Sequence, residues 1–360
     1  MSADAGMCEH LRVHDAAMSK PVRISYWFIA ATLLLVGFLH LGTPLLAALF
    51  SFFLLERLHF VRSKWLAIGI FALIVVAGSV ALGRFTAQAV VALPAVADKA
   101  IPSIIDYADK NGVELPFTDW ASLKEVTLEN AKGKFQYVGR FATGATRELV
   151  FLIIGVVVAV SLFLNRAVDL DRARYRIRNN LYSLTAEAIV ERFRRFYGCF
   201  YTVMGAQLII SAINTALTAV FVLVSRLPNS AVVIGITFLC GMLPVVGNLI
   251  SNTIIVAIAF TVSPKMALAA LVFLVVIHKL EYFLNSKIIG DRIRNPVWLT
   301  LLGLILGERL MGIPGMILAP VLLNYVKVEA SAIEVEEEAA AGPAPAAEPR
   351  AEVKTVARSA

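Results

Sequence analysis

The chain has 360 residues, of which 59% are hydrophobic and 16% are charged, and its mean hydropathy is +0.77. Soluble globular domains carry about 25% charged residues, so this composition excludes an ordinary soluble enzyme and a disordered chain. The three cysteines (Cys8, Cys199 and Cys240) have no disulfide or metal-ligand spacing, which excludes a disulfide scaffold and predicts no metal site. The composition indicates an all-α polytopic membrane protein.

The net charge of +7 comes from 33 Lys and Arg against 26 Asp and Glu. In a soluble chain a basic balance would suggest nucleic acid, but no nucleic-acid-binding motif accompanies the charge here. Most of the basic residues flank apolar segments, which is the pattern of cytoplasmic loops under the positive-inside rule. We therefore expect the lipid bilayer as a partner and no nucleic acid.

Residues 24–83 are predicted to hold the first three transmembrane helices, after a polar cytoplasmic N-terminus at 1–23. The first part of this region is free of charge and too long for one span of about 20 residues. A Gly-Thr-Pro break divides it into spans near 24–41 and 44–60. The third span is predicted at 65–83.

Two polar segments flank the fourth predicted span at 149–165. Segment 84–148 has eight basic and eight acidic residues with helically spaced apolar positions, which predicts amphipathic helices on the extracytoplasmic side. Segment 166–198 has eight Arg against four Asp and Glu, which predicts a cytoplasmic location. Its interpretation as a positive-inside anchor is favoured over a lipid-phosphate patch.

Two hydrophobic stretches in the C-terminal membrane region (149–327) are each broken near their middle. The arms of the stretch 231–262 have 13–15 residues and reach about 20 Å, short of the ~30 Å hydrocarbon core, and the stretch 297–325 is broken in the same way. Backbone freed at such a break must be buried in protein or line a cavity. We therefore predict two re-entrant helical hairpins inserted from opposite sides. The hairpin-forming residues are Pro244, Gly247, Pro296, Gly312, Pro314, Gly315 and Pro320.

The tail at 328–360 is acidic and then rich in Ala and Pro. Such a composition cannot bury a core, so the tail is predicted to be disordered. The spans and the two hairpins together place both termini in the cytoplasm.

Polar side chains within the spans are candidate substrate-binding or coupling positions. Gln207, Ser211 and Asn214 share one helix face, because they are spaced i, i+4 and i+7. Such a stripe faces either a neighbouring helix, which it holds by hydrogen bonds, or a water-filled cavity, and both interpretations remain open. Asn248, Ser251 and Asn252 are the polar residues nearest to the break in the first hairpin.

His278, Glu281 and Asn285 share another helix face in the span 265–284. Glu281 lies 16 residues after Lys265, or about 24 Å into a ~30 Å core. There it either reaches the inner interface and pairs with a basic residue, or it couples transport to a proton or an ion. For His278, packing is the favoured interpretation.

Glu308 and Arg309 lie at the break of the second hairpin. If that hairpin is re-entrant, both approach the middle of the membrane, where ionisable residues are costly and usually functional. The alternative is that both arms cross the membrane and expose this pair to water.

The chain lacks the sequence motifs of several enzyme classes. It has no Gly-x-x-x-x-Gly-Lys-Ser/Thr loop, no His-Glu-x-x-His and no Gly-x-Ser-x-Gly. We predict that the protein is not an enzyme and uses no cofactor.

Three motifs resemble a known family. These are 278–285 (His-Lys-Leu-Glu-Tyr-Phe-Leu-Asn), the Asn295-Pro296 step and 307–320 (Gly-Glu-x-x-Met-Gly-Ile-Pro-Gly-Met-x-x-Ala-Pro). Together they are similar to the C-terminal signature of the autoinducer-2 exporter family of permeases, and the break at 243–248 resembles that family's central Pro-x-x-Gly loop. The residues carried over are Pro244, Gly247, Glu281, Pro296, Gly312, Pro314, Gly315 and Pro320.

This resemblance implies a homo-oligomeric, multi-pass permease of the bacterial inner membrane. It implies export of a small hydrophilic solute, such as a sugar-like quorum signal, or exchange of Na⁺ or Li⁺ against protons. A membrane scaffold or regulator that uses segment 166–198 and the tail as docking surfaces is the alternative from another class.

Overall fold

The computed structural model describes residues 19–58, 63–112, 138–165, 177, 179–243, 246–289 and 296–333, and its regular elements are α-helices. In chain order they are α1 (Lys20–Phe38), α2 (Gly42–Arg57), α3 (Lys64–Lys110), α4 (Val138–Leu164), α5 (Leu181–Val224), α6 (Ser230–Gly241), α7 (Val246–Phe260), α8 (Pro264–Ile289), α9 (Val297–Met311) and α10 (Ile313–Ala330). Five of the described helices are long and apolar enough to cross a membrane, namely α1, α3, α4, α5 and α10.

Large apolar side chains cover the outer surface of several helices. On α3, Leu73 and Val76 are 69% and 61% exposed, and on α8 Val276 is 61% exposed. Soluble monomers rarely expose apolar surface so extensively, whereas such a surface is stable against lipid. The prediction of an all-α polytopic membrane protein is confirmed.

Two helices are longer than the predicted spans. α3 continues from the span predicted at 65–83 to Lys110, through Pro94 and Pro102. α5 runs for 44 residues and begins after Asn180, well before the apolar stretch 197–225 that predicts a span. The Asn180 side chain accepts a 2.9 Å hydrogen bond from the backbone N–H of Ser183. The predicted boundaries followed changes in charge, and a change in charge does not by itself end a helix.

α5 is the central helix of the described fold, since it packs against α1, α6, α8 and α10. Its Phe196, Phe200 and Val203 form an apolar core with Leu318 and Val321 of α10. α10 continues to Ala330, so its last three residues lie within the predicted tail (328–360). This extension buries a carboxylate, Glu329, against α5.

Helices α2, α3 and α4 form a second packed unit. Gly155 allows α4 to lie directly on α2, because a Cβ there would be 2.5 Å from the carbonyl oxygen of Pro44. Leu55, Phe71 and Phe163 join α2, α3 and α4 in one apolar cluster.

α6 and α7 form one short helical hairpin, and α9 and α10 form another. In the first, a Cβ on Gly247 would overlap the carbonyl of Cys240. In the second, Gly307 and Gly315 are in backbone contact, and Gly312 joins the helices at a φ of +65°, which glycine adopts without strain. The insertion of these hairpins into the bilayer from opposite sides stays a prediction.

The prolines of the hairpins have different roles. Pro296 is the N-cap of α9, and Pro314 lies in the first turn of α10, where a missing N–H costs nothing. Pro320 lies inside α10 and not at the break between the helices. Pro244 lies outside the described residues.

Candidate functional site

The centre of the candidate site is a contact between the carboxylate of Glu281 on α8 and the amide of Asn248 near the start of α7. The Asn248 Nδ2 atom donates to Oε1 and to Oε2 of Glu281, with both distances at 2.8 Å. Both residues are half-buried. In the described part of the chain no Lys or Arg forms an ion pair with Glu281. The carboxylate therefore keeps lone pairs that a ligand can use.

A small polar cavity adjoins this contact, and we call it the polar cavity. Its polar lining comes from four helices: Asn214 and Thr218 of α5, Thr237 of α6, Asn248, Ser251 and Asn252 of α7, and His278 and Glu281 of α8. The enclosed space admits about one water molecule. The structure thus brings together five predicted site residues, in a closed arrangement.

One buried oxygen of the polar cavity has no partner. Asn214 is 6% exposed, and its Oδ1 atom accepts no hydrogen bond among the described residues. A buried amide oxygen left unpaired costs about 1–3 kcal/mol. This oxygen, like the Glu281 carboxylate, can accept a hydrogen bond from a solute hydroxyl or coordinate a cation.

The predicted polar stripe on α5 is divided between two roles. The Gln207 side chain donates to the carbonyl of Gly241 at 2.6 Å, and the Ser211 hydroxyl donates to the carbonyl of Phe238 at 2.9 Å. These bonds satisfy carbonyls at the C-terminal end of α6, which lack helical partners. Gln207 and Ser211 therefore hold the first hairpin against α5, whereas Asn214 lines the polar cavity.

The remaining predicted site residues lie elsewhere. Glu308 and Arg309 are exposed near the C-terminal end of α9 and do not line the polar cavity. The Asn285 side chain lies outside the described residues. His278 is exposed, and it also contributes to the wall of the polar cavity.

Sequence analysis missed Thr218 and Thr237 of the cavity wall. Thr218 lies four residues after Asn214, so the helical spacing that marked the stripe extends to it. Thr237 carries no such signal, because its neighbours in the helix are apolar. Its hydroxyl donates to the Val233 carbonyl at 2.9 Å.

A buried ion pair nearer the N-terminal end of α5 was also missed. Arg192 of α5 forms a salt bridge to Glu329 of α10, and their side chains are 10% and 6% exposed. The Tyr26 hydroxyl of α1 donates to the same carboxylate oxygen at 2.9 Å, and the Arg192 guanidinium lies 4.2 Å from the centre of the Tyr26 ring. We call these three residues the α1–α5–α10 clasp.

Across the described ranges, no group of three or more His, Cys, Asp or Glu side chains is placed to hold a metal ion. The site instead combines one carboxylate with neutral amides and hydroxyls between helices of a membrane protein. This combination is typical of membrane transport proteins, in which intramembrane polar groups bind a passing solute or ion.

Comparison with known proteins agrees with this class. Residues 24–334 match the model of the AI-2E transport family, described as AI-2E family transporter, and the chain belongs to that family. A 126-residue segment is 31% identical to the "Putative transport protein YdbI" of Bacillus subtilis (strain 168). That segment covers 34% of this chain and 36% of the relative, so the likeness spans about a third of the relative's length. The family is one of transporters and not of enzymes.

Proposed function

We propose that this protein is a secondary transporter that exports a small hydrophilic solute across the bacterial inner membrane, and that the polar cavity is its solute site. The half-buried Glu281 carboxylate carries the proposal, because its described partner is the neutral Asn248 amide and not a cation. An ionisable group inside an apolar helix is costly and is retained where function requires it. Solute hydroxyls would take the place of Asn248 on the carboxylate.

The size of the cavity supports a moving hairpin. A space for about one water molecule is too small for a sugar-like solute, so binding requires the first hairpin (α6 and α7) to separate from α8. In alternating-access transporters one group of helices moves against another around the solute site, and broken helices often form that site. The re-entrant insertion of both hairpins, cytoplasmic termini and a homo-oligomer belong to the same proposal.

Export is tested with inside-out vesicles, into which an exporter moves its solute. The Glu281→Ala variant is expected to lower the initial uptake rate at least about tenfold, because it removes the main hydrogen-bond acceptor of the site. The first probe is the sugar-like quorum signal, followed by a panel of small polar metabolites. Glu308→Ala is the matched carboxylate variant and should stay within about twofold of the wild type, since Glu308 is exposed and outside the cavity.

Loss of uptake in Glu308→Ala alone would move the solute site to the second hairpin. Unchanged uptake in Glu281→Ala, with the protein shown to be folded by size-exclusion chromatography, would contradict the proposal.

A second candidate is exchange of Na⁺ or Li⁺ against protons. The oxygen-rich wall of the polar cavity favours it, since the Glu281 carboxylate and the unpaired Asn214 oxygen are ligands that hard cations prefer. One carboxylate that binds either a proton or a cation would couple the two fluxes.

Antiport is tested in proteoliposomes that contain a pH-sensitive dye, with Na⁺, Li⁺ or K⁺ added outside. Antiport predicts a cation-dependent proton flux that Glu281→Gln abolishes, because the amide of Gln cannot exchange a proton. Export of a neutral solute is expected to survive this substitution at least in part. Absence of any cation-dependent flux in the folded wild type would exclude antiport and leave solute export.

A further inference from the structure

Three cavities follow one another along α7 and α8. The outer one is lined by Tyr107 of α3 and by Pro264 and Lys265 at the start of α8. A middle cleft shares Val256, Phe260 and Leu271 with the outer cavity. It shares Asn252, Leu274 and His278 with the polar cavity. The three spaces therefore adjoin one another along the two helices, from Lys265 to Glu281, and we call them together the cleft.

The dimensions of this cleft suit a solute route. The middle part has a volume of about 530 Å³, and the outer part has about 290 Å³. Small-molecule sites typically have about 300–1,000 Å³. Lys265 and Glu281 are 16 residues apart on α8, so the cleft follows the helix for about 24 Å of a ~30 Å hydrocarbon core.

The lining changes character along the cleft. Its outer and middle parts are mainly apolar, whereas Asn252, Thr253, His278 and Lys279 concentrate at the end next to the polar cavity. Apolar constrictions close a water-filled path by losing their water and open again when their walls separate. The space for about one water molecule beside Glu281 agrees with a closed state of such a path.

The distal part of α3 forms one wall of the cleft. Ile104 lines the middle cleft, and the rings of Tyr107 and Phe260 meet edge to face with centroids 6.1 Å apart. This contact joins α3 to the end of α7, at the outer opening of the cleft. A displacement of α3 at Tyr107 would therefore widen the opening without disturbing the contact between Asn248 and Glu281.

We propose that this cleft is the aqueous route by which the solute passes between Glu281 and the Lys265 end of α8, with α3 around Tyr107 as its movable wall. The inference rests on the proposed function, since a route requires a transported solute.

The test uses the accessibility of introduced cysteines to water. Val275 and Leu271 line the cleft and are 55% and 51% exposed, whereas Val276 and Val272 line none of the three cavities and are 61% and 58% exposed. Val275 is adjacent to Val276 on α8, and Leu271 is adjacent to Val272. Each position in the cleft therefore has a control at nearly the same depth. Single cysteines are introduced at these four positions in a chain with Cys8→Ser, Cys199→Ala and Cys240→Ala, reconstituted in liposomes. They are treated with a membrane-impermeant, sulfonate-bearing thiosulfonate reagent.

The expected result is that Val275→Cys and Leu271→Cys react at least about tenfold faster than Val276→Cys and Val272→Cys, and that their modification blocks solute uptake. A thiol that faces lipid stays protonated and out of reach of the charged reagent, whereas a thiol in a water-filled cleft ionises and reacts. Equally slow reaction at all four positions would overturn the proposal, because the cleft would then be filled by lipid or by a second copy. Equally fast reaction would overturn it too, because the whole surface would then be wet.

The two proposals fail in distinguishable ways. Slow labelling of the cleft together with loss of uptake in Glu281→Ala would reject the route and keep the solute site. Fast and selective labelling together with normal uptake in Glu281→Ala would keep a water-filled cleft and reject the proposed function.

Discussion

Replacement of Glu329 by Gln is expected to lower the apparent melting temperature of the detergent-solubilised protein by about 6–20 °C. The substitution keeps the side-chain volume but leaves the buried Arg192 guanidinium without its counterion. Removal of one partner of a buried ion pair costs about 3–5 kcal/mol, and each kcal/mol corresponds to about 2–4 °C in a domain of 150–250 residues. Fluorescence-detected size-exclusion chromatography after heating measures the shift.

A double variant distinguishes the stability that is lost with the ion pair from the stability that is lost because one buried charge has no partner. Arg192→Met combined with Glu329→Gln removes both charges and is expected to recover at least half of the lost stability, because an unpaired buried charge accounts for most of the cost. Asp106→Asn is the control, since it breaks an i, i+4 pair whose side chains are 71% and 65% exposed and should change stability by about 0.5 kcal/mol or less. An unchanged melting temperature in Glu329→Gln would show that the α1–α5–α10 clasp does not stabilise the fold.

Gly247→Ala and Gly315→Ala are each expected to destabilise the protein by about 1–3 kcal/mol. The added methyl group would overlap the carbonyl of Cys240 in the first case and that of Gly307 in the second. Both obstacles are backbone atoms, so the paired helices must move apart. In Gly247→Ala this movement also displaces the adjacent Asn248 from Glu281, and solute uptake should fall together with thermal stability.

Gly78→Ala is the matched control for these two variants. Gly78 lies inside α3 with no atom within 4 Å of an added Cβ, so Ala should be neutral or slightly stabilising there. Equal stability of Gly247→Ala, Gly315→Ala and Gly78→Ala would contradict the close backbone packing of both hairpins.

Several site residues could be found from sequence because polar residues stand out in apolar helices. Asn214, Asn248, Asn252, His278 and Glu281 were predicted from their positions in the spans, and the structure brings all five to one cavity. Which polar residues share a cavity could not be predicted, because that depends on contacts between four different helices. The direct contact between Asn248 and Glu281, 33 residues apart, is such a case.

The division of the α5 stripe shows the same limit. Helical spacing places Gln207, Ser211 and Asn214 on one face, but two carbonyls at the end of α6 decide that the first two hold a helix and the third lines a cavity. Helix lengths were misjudged for a related reason. The span predicted at 65–83 ended where charged residues begin, yet α3 continues through Pro94 and Pro102, and neighbouring Val96 and Ala100 are buried.

The class of this protein and its all-α fold could be predicted from the amino-acid sequence. Apolar length, charge placement and Gly or Pro breaks are local properties, and a bilayer permits few structures other than helices for such a chain. Which polar groups meet and which charges are buried depends on the tertiary structure. Glu329 belongs by composition to the acidic tail, but it pairs with Arg192, 137 residues away, because α10 packs on α5. Contacts between residues distant in the chain depend on helix packing, and no local pattern encodes that packing.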